Sequence, residues 1–220
     1  MFMVVFDFEG VLVKGEYLLE LAKLVGKTSE VERLTRDGLE GRIGWNEALN
    51  RRLELLKGVT CQQCVETAKT MELYPGAKEF IEALRKLGNV RLGIITGCFD
   101  IIVNPIKEQL KLDFAVSNRL MFKDNELAGV DLIVDANKDL HMECIARRYG
   151  VEMDNVIAIG DGANDANMVS KAGLGIGFNP ASVLQKYAKT TVCAKRLDEA
   201  LPIVKAVSYT HLTLPTNREV

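Results

Sequence analysis

The chain has 220 residues, of which 48% are hydrophobic, and its 28 basic and 30 acidic side chains leave a formal net charge of −2. This length fits one domain, or one core with a modest insertion, and the apolar share is enough for a sizeable core. The charges are balanced and form no basic block, which argues against a nucleic-acid partner. No apolar run reaches the roughly 18 residues of a membrane span. Asp7 and Glu9 interrupt the apolar N-terminus, which lacks a basic segment, so we reject a signal peptide there.

The cysteines indicate the redox compartment. An odd, scattered set argues against a disulfide framework and favours a reducing cytoplasm. The five are Cys61, Cys64, Cys98, Cys144 and Cys193. Cys61 and Cys64 form a lone CxxC pattern without a second pair or a nearby histidine, so we interpret it as the start of an amphipathic helix and not as a zinc site.

The first strand is predicted at Met1–Phe8, where the run is β-branched and aromatic and apolar on both faces. Helical spacing then continues without a second strand. The predicted helices are Glu16–Val25, Ser29–Leu39, Trp45–Lys57 and Cys61–Met71. Ser29 and Glu32 have the spacing of a capping box, which predicts the start of the second of these helices. We expect the four helices to be a helical insertion after the first strand.

Strands and helices alternate in the rest of the chain. The predicted strands are Val90–Thr96, Phe114–Ser117, Val156–Gly160, Leu174–Ile176 and Thr190–Val192, with a hairpin over Leu120–Val134. The predicted helices are Ala77–Leu87, Asp100–Leu110, Asp139–Tyr149 and a short one within Gly162–Ala172. Pro105 should kink the second of these helices or mark its true start. The alternation predicts an α/β fold with a parallel sheet covered on both faces.

The C-terminal segment has a different character. Val207–Thr216 resembles the translation of a transposase adapter used to prepare sequencing libraries. We therefore expect residues 207–220 to be a non-native tail, the alternative being a native irregular one. The expected core comprises residues 1–13 and 73–206, and the expected helical insertion comprises residues 14–72.

Chemically useful residues cluster at the predicted ends of strands and the start of one helix. They are Asp7 and Glu9, Thr96 and Gly97, Lys138, and the run Gly160–Asp165. A parallel sheet can bring these positions to one edge, where α/β proteins bind ligands. Carboxylates suit Mg²⁺, a carboxylate can accept a phosphoryl group, and backbone amides at a helix start can hold an anion. The combination therefore indicates phosphoryl transfer.

These motifs make the chain resemble the haloacid-dehalogenase-like phosphatases, and within them the phosphoserine phosphatases. Asp7–Val11 stands where the family has Asp-x-Asp-x-Thr/Val, Thr96-Gly97 is its second motif, and Lys138 is its third. Gly160–Asp165 matches the fourth motif, G-D-G-x-N-D, in full. The resemblance covers essentially all of residues 1–206. It implies a Rossmann-like parallel-sheet core with a helical-bundle cap inserted after the first strand.

The resemblance also implies roles for the core residues. Asp7 would attack phosphorus and become an aspartyl phosphate, and Glu9 would protonate the leaving oxygen and then activate water. Thr96, the Gly97 amide and Lys138 would hold the phosphoryl group.

A second set of roles concerns the metal and the substrate. The implied Mg²⁺ ligands are Asp7, the Glu9 carbonyl, Asp161 and Asp165, with Asn164 assisting nearby. In the phosphoserine branch, Glu16 would meet the substrate amine and Arg52 its carboxylate, which a guanidinium binds bidentately. The expected partner is a small phosphorylated metabolite, and the chain is expected to be a cytoplasmic monomer or homodimer.

Several of these residues have plainer interpretations. Arg52 lies beside Arg51 on a charged helix, where a solvated face is common. Lys138 could be a solvated lysine at a helix start, and Glu16 an acid that the helix dipole stabilises. The Gly160–Asp165 run could be an ordinary turn, although the other motifs argue against this.

The chain departs from the family pattern at Glu9 and Cys98. Glu9 is one methylene longer than the usual aspartate, and a misplacement of about 1 Å can cost on the order of 10²-fold in rate. The phosphoserine/homoserine phosphotransferases also carry Asp-x-Glu here, so Glu9 is a plausible working variant. Cys98 replaces a glycine of many relatives, and we expect it to crowd the phosphate loop. The alternative functions are hydrolysis of another small phosphomonoester, transfer to an acceptor such as homoserine, and phosphate binding without catalysis.

Overall fold

The computed structural model describes residues 1–212, with side chains through residue 206. The last helix, Leu201–Leu212, runs into the segment predicted as a tail, and residues 213–220 of that segment lie outside the described residues. Among the described helices, none combines the length and the apolar character that crossing a membrane requires.

The core is a seven-stranded sheet within the described residues. Its strands are β1 (Phe2–Phe6), β2 (Val90–Phe99), β3 (Phe114–Lys123), β4 (Glu126–Asp131), β5 (Val156–Gly160), β6 (Leu174–Phe178) and β7 (Thr190–Val192). They are ordered β4-β3-β2-β1-β5-β6-β7, and every neighbouring pair is parallel except β3 and β4. The chain builds one side of the sheet from β1 and then returns to build the other, so the topological switch point lies between β1 and β5.

Helices cover both faces of this sheet. Those between β1 and β2 are α1 (Tyr17–Leu24), α2 (Thr28–Leu39), α3 (Trp45–Leu55), α4 (Cys61–Thr70) and α5 (Ala77–Lys86). The others are α6 (Asp100–Gln109), α7 (Lys138–Tyr149), α8 (Ala166–Lys171) and α9 (Leu201–Leu212). Along β1, Val4 and Phe6 pack into one apolar cluster, while Met3 and Val5 pack into the cluster on the other face. Burial on both faces confirms the predicted α/β fold with a central parallel sheet.

The four helices α1–α4 are an excursion from the core. The chain leaves and returns at adjacent points, because the Lys14 N–H donates to the Glu72 carbonyl at 2.9 Å and the Tyr74 N–H donates to the Leu12 carbonyl at 2.8 Å. An isolated antiparallel bridge joins Val13 and Leu73 between these two bonds. The excursion is therefore anchored to the core through a paired, two-stranded connection.

Two local predictions, on the strand–hairpin segment and on helix capping, need correction. The segment predicted as a short strand plus one arm of a hairpin is one continuous strand, β3, which turns into β4 at Asp124 and Asn125 with φ of 50° and 67°. Two successive positive φ values are the geometry of a tight type I′ hairpin. The capping box predicted at Ser29 is absent, since α2 begins at Thr28 and the side chain of its N-cap residue makes no capping hydrogen bond. A capping box exists instead at the start of α4, between Thr60 and Gln63.

Pro105 lies inside α6 and does not mark its start, which is Asp100. The second strand is longer than predicted and runs through Thr96 to Phe99, with an irregular register between Ile95 and Phe99. Gly97 therefore lies in a bulged strand end, and α6 begins three residues later at Asp100, the predicted start of this helix. The bulge places this stretch beside the end of β1.

Candidate active site

The switch point brings carboxylates from two neighbouring strands together. Asp7 follows β1 directly, and Asp161 follows β5, its parallel neighbour. The Asp7 N–H donates to the Ile159 carbonyl at 2.8 Å, which extends the strand pairing to Asp7. One carboxylate oxygen each of Asp7, Asp161 and Asp165 lies within 4.8 Å of the others. Three acids this close in a largely buried place require a cation.

Lys138 supplies part of the positive charge that these acids require. Its Nζ lies 2.7 Å from Asp165 Oδ1 and 2.8 Å from Asp7 Oδ1, and the side chain is fully buried. Burial opposes the charge on Lys138, but Asp165 and Asp7 raise the pKa of its amine above the usual range. The solvated interpretation of Lys138 is therefore wrong. The lysine sits at the first residue of α7 and reaches the sheet edge from there.

Asp165 organises the loop after β5. Its Oδ1 accepts from Lys138, and its Oδ2 accepts from the N–H groups of Asp161 and Gly162 at 3.0 and 3.1 Å. Burial and the nearby Asp7 carboxylate raise the pKa of Asp165 to about 6 against the opposing effect of Lys138. The Asp165 carboxylate thus joins the backbone of this loop to Lys138. The interpretation of Gly160–Asp165 as an ordinary turn is therefore insufficient.

Asp161 keeps a carboxylate oxygen that accepts no hydrogen bond from the described residues. Its Oδ1 is buried and has no hydrogen-bond partner among the described residues, and burial with the Asp7 and Asp165 charges raises its pKa well above the usual range. Gly10 lies against it with φ of +76°, and a Cβ at that position would overlap the Asp161 carboxylate. An orphaned carboxylate oxygen facing two other acids fits a hard, oxygen-seeking divalent cation.

The bulged end of β2 lines the same cavity as Asp7 and Asp161. The Cys98 N–H donates to the Thr96 hydroxyl at 3.1 Å, and both side chains are buried at the cavity. A Cβ on Gly97 would overlap the ring of Trp45, the first residue of α3, so the cap lies directly on this loop. The glycine is needed for this close approach.

Asn118 is a buried residue that the sequence analysis missed. Its amide donates to the carbonyls of Gly97 and Val134 at 2.9 and 3.0 Å, and its oxygen accepts from the N–H groups of Ile133 and Val134 at 2.7 Å. It ties the Thr96–Cys98 loop to the segment that leads into Lys138. A polar residue inside an otherwise strand-like run was the available signal.

Arg52 and Glu16 close the cavity from the cap side. Arg52 Nη1 lies 3.1 Å from the Thr35 hydroxyl and 3.9 Å from Glu16 Oε2, and its Nε donates to the Ala48 carbonyl at 3.2 Å. The side chain of Arg52 is only 8% exposed, so its interpretation as part of a solvated helix face is wrong. Burial and the nearby Glu9 raise the pKa of Glu16 well above the usual range, while Arg52 opposes this.

Glu9 lies between core and cap. Its Oε1 accepts from the N–H of Tyr17, the first residue of α1, at 2.5 Å. Burial raises the pKa of Glu9, while this hydrogen bond and the Arg52 charge oppose the effect. The sequence analysis singled out Glu9 but did not foresee its contact with the cap.

Most of these groups face one cavity. Its lining includes the candidate residues Asp7, Glu9, Glu16, Arg52, Thr96, Gly97, Asp161 and Asn164. The sequence analysis did not assign its further lining residues Thr35, Leu39, Trp45 and Leu49, which come from the cap helices. Lys138 and Asp165 are not among the lining residues, but Lys138 contacts the lining residue Asp7 and also pairs with Asp165. A buried carboxylate paired with a lysine, a metal-compatible acidic group and a polar cavity fit a phosphoryl-transfer site of the kind described above.

The family model of the haloacid dehalogenase-like hydrolases matches residues 3–173. The chain belongs to this family. The structure is similar to a solved phospho-aspartyl intermediate analogue of phosphoserine phosphatase, with a TM-score of 0.88, 35% identity, and coverage of 92% of this chain and 98% of that one.

Curated relatives support the same relationship. The chain is 35% identical over 206 residues to the phosphoserine phosphatase of Methanocaldococcus jannaschii, covering 92% of this chain and 97% of the relative. It is 36% identical over 206 residues to that of Archaeoglobus fulgidus, covering 92% of this chain but 60% of the relative. The chain therefore spans less than two thirds of the second relative's length.

Proposed function

We propose that this chain is a Mg²⁺-dependent phosphomonoester hydrolase whose substrate is O-phospho-L-serine. The carrying observation is that Asp7, ion-paired with Lys138, shares one cavity with Thr96 and Gly97 on the core side and with Glu16 and Arg52 on the cap side. The similarity to phosphoserine phosphatases of the same length supports the substrate.

In the first half of the reaction, a carboxylate oxygen of Asp7 attacks phosphorus and the phosphorus–oxygen bond to the substrate breaks. Glu9, in its protonated form, gives its proton to the leaving oxygen, so that serine departs as an alcohol. Lys138, the Thr96 hydroxyl and the Gly97 amide hold the phosphoryl oxygens during the transfer. The products of this step are an aspartyl phosphate and free serine.

In the second half, the Glu9 carboxylate removes a proton from a water molecule, whose oxygen attacks the aspartyl phosphate. The bond between phosphorus and the Asp7 oxygen breaks, which regenerates the carboxylate and releases inorganic phosphate. Glu9 is again protonated and ready for the next substrate.

The proposed metal ligands are Asp7, the backbone carbonyl of Glu9, Asp161 and Asp165, with Asn164 close by. The buried, unpartnered Asp161 Oδ1 supports this assignment best, whereas both oxygens of Asp165 are already engaged by Lys138 and backbone amides. When bound, Mg²⁺ would neutralise charge on the phosphoryl oxygens.

Substrate recognition is assigned to the cap, for which we propose residues 14–72, with residues 1–13 and 73–206 as the core. The Arg52 fork faces the carboxylate of phosphoserine, and Glu16 faces its ammonium group. An ammonium partner would restore the charge that burial disfavours on Glu16. The product would contribute to serine supply. The odd cysteine set supports a reducing, cytoplasmic setting.

The test is phosphate release from O-phospho-L-serine with Mg²⁺ and with EDTA, alongside Asp7→Asn. We expect turnover only in the metal-loaded native chain, and full turnover by Asp7→Asn would refute the covalent mechanism. Product analysis with added homoserine separates hydrolysis from transfer, since formation of phosphohomoserine in place of free phosphate would assign a phosphotransferase instead.

A further inference from the structure

The acid/base carboxylate is held by the cap and not by the core alone. Glu9 Oε1 lies 2.5 Å from the backbone nitrogen of Tyr17, the first residue of α1. The N-cap residue of this helix, Glu16, makes no side-chain cap hydrogen bond. The first N–H groups of a helix have no partner within the helix, so a carboxylate placed here gains a charge-assisted bond.

Tyr17 is itself firmly placed. Its side chain is fully buried, its hydroxyl donates to the Cys64 carbonyl on α4 at 2.7 Å, and its ring lies 6.1 Å from that of Phe99. The ring and hydroxyl therefore join α1 to α4 and to the end of β2, whereas the N–H belongs to the backbone at the start of α1. Cys98 lines the same cavity as Glu9, on the core side.

We propose that Tyr17 is the positioning residue of Glu9: its N–H holds one carboxylate oxygen and leaves the other free to exchange the proton. The proposal rests on the proposed function. An aspartate at position 9 would be shorter by one carbon–carbon bond, about 1.5 Å, and would fall short of this N–H. The extra methylene of Glu9 is then a requirement of this site.

The backbone N–H can be removed by Tyr17→Pro. Proline is favoured at the first position of a helix. The preceding residue, Glu16, already has the extended conformation that a following proline requires, with φ of −125° and ψ of 120°. Tyr17→Ala is the matched control, because it also loses the ring but keeps the N–H.

We expect the kcat for phosphoserine of Tyr17→Pro to be about 10- to 100-fold below that of Tyr17→Ala, with KM values within about threefold of each other. Glu9→Asp should lose about 10- to 100-fold in the Tyr17→Ala background but change little in the Tyr17→Pro background, because both substitutions break the same contact. Equal kcat values for Tyr17→Pro and Tyr17→Ala would overturn the proposal.

Glu9→Asp in the otherwise unchanged chain covers the case in which position 17 tolerates no substitution. The proposal requires a lower kcat on phosphoserine, and native activity in Glu9→Asp would overturn it. p-Nitrophenyl phosphate has a good leaving group that needs no proton, so its initial burst of nitrophenol should persist while steady turnover falls. Loss of the burst as well would mean that Glu9 affects nucleophilic attack. Turnover by Asp7→Asn would instead refute the proposed function, so the two failures are distinguishable.

Discussion

The two walls of the cavity are built differently. On the core wall, Lys138 lies 2.7 and 2.8 Å from Asp165 and Asp7, and all three side chains are no more than 7% exposed. On the cap wall, the Arg52 guanidinium lies 3.9 Å from Glu16, whose side chain is 20% exposed. Lys138, Asp7 and Asp165 of the core wall are thus paired with one another, whereas the cap charges are close but incompletely paired.

From this difference we expect the core wall to serve the reaction and the cap wall to serve substrate recognition. A buried, mutually paired network fixes Asp7, the proposed nucleophile, but makes each member essential for stability, since removing one partner leaves a buried charge. Incompletely paired cap charges retain capacity for a ligand, which gives substrate selectivity without the same structural cost. Substitutions in the two walls should therefore have different consequences.

The largest effect is expected from Lys138→Met, which leaves Asp7 and Asp165 buried without their cation. We expect a loss of about 3–5 kcal/mol in the free energy of unfolding and at least about 10³-fold in kcat. Urea unfolding and phosphate release measure the two. Lys27→Met is the control, because its ion pair with Glu30 is about half exposed and should contribute less than about 1 kcal/mol. A Lys138→Met chain as stable as this control would contradict the contrast between the walls.

Arg52→Ala should change substrate choice more than stability. We expect kcat/KM to fall about 100-fold for phosphoserine, because the carboxylate loses a charge-assisted partner, and less than about threefold for phosphoethanolamine, which lacks a carboxylate. Arg51→Ala, on the exposed neighbour in the same helix, should leave both values unchanged. Equal losses on both substrates would show that Arg52 does not read the carboxylate.

The sequence predicts the strand-end residues of the core wall but not Asn118. Strand-end motifs predict residues at the edge of a parallel sheet because the sheet itself brings consecutive strand ends together. Asp7, Thr96, Asp161 and Asp165 accordingly meet in one place. The predicted α/β fold follows from the same alternation of strands and helices.

The cap wall could be predicted only in part. Arg52 and Glu16 came from the resemblance, but Thr35, Trp45 and the Tyr17 N–H reach the cavity through helix packing, which has no short sequence pattern. The missing capping box at Ser29 has a similar cause, because α2 starts at Thr28 in spite of the local motif. Asn118 was missed because its partners are backbone groups distant in sequence.

Gly97→Ala tests the contact between the core wall and the cap wall. A Cβ here would overlap the Trp45 ring, so the cap must shift away from the Thr96–Cys98 loop. We expect about a 10-fold loss of kcat/KM and a red shift in the emission of the chain's single tryptophan. Gly44→Ala, beside Trp45 but in open space, should leave the emission unchanged. An unshifted spectrum in Gly97→Ala would mean that Gly97 and Trp45 are less tightly packed than described.

The smallest expected effect has opposite signs for two neighbouring acids. Asp161→Asn removes a charge that Asp7 and Asp165 repel, so in EDTA it should raise Tm by about 2–4 °C, equivalent to about 1 kcal/mol. Asp165→Asn removes the partner of Lys138 and should lower Tm by at least as much. Mg²⁺ should raise the Tm of the native chain but not that of Asp161→Asn, because the ion stabilises only a folded state that binds it. Differential scanning calorimetry measures all three, and a lower Tm for Asp161→Asn in EDTA would show that its charge is already compensated within the core wall.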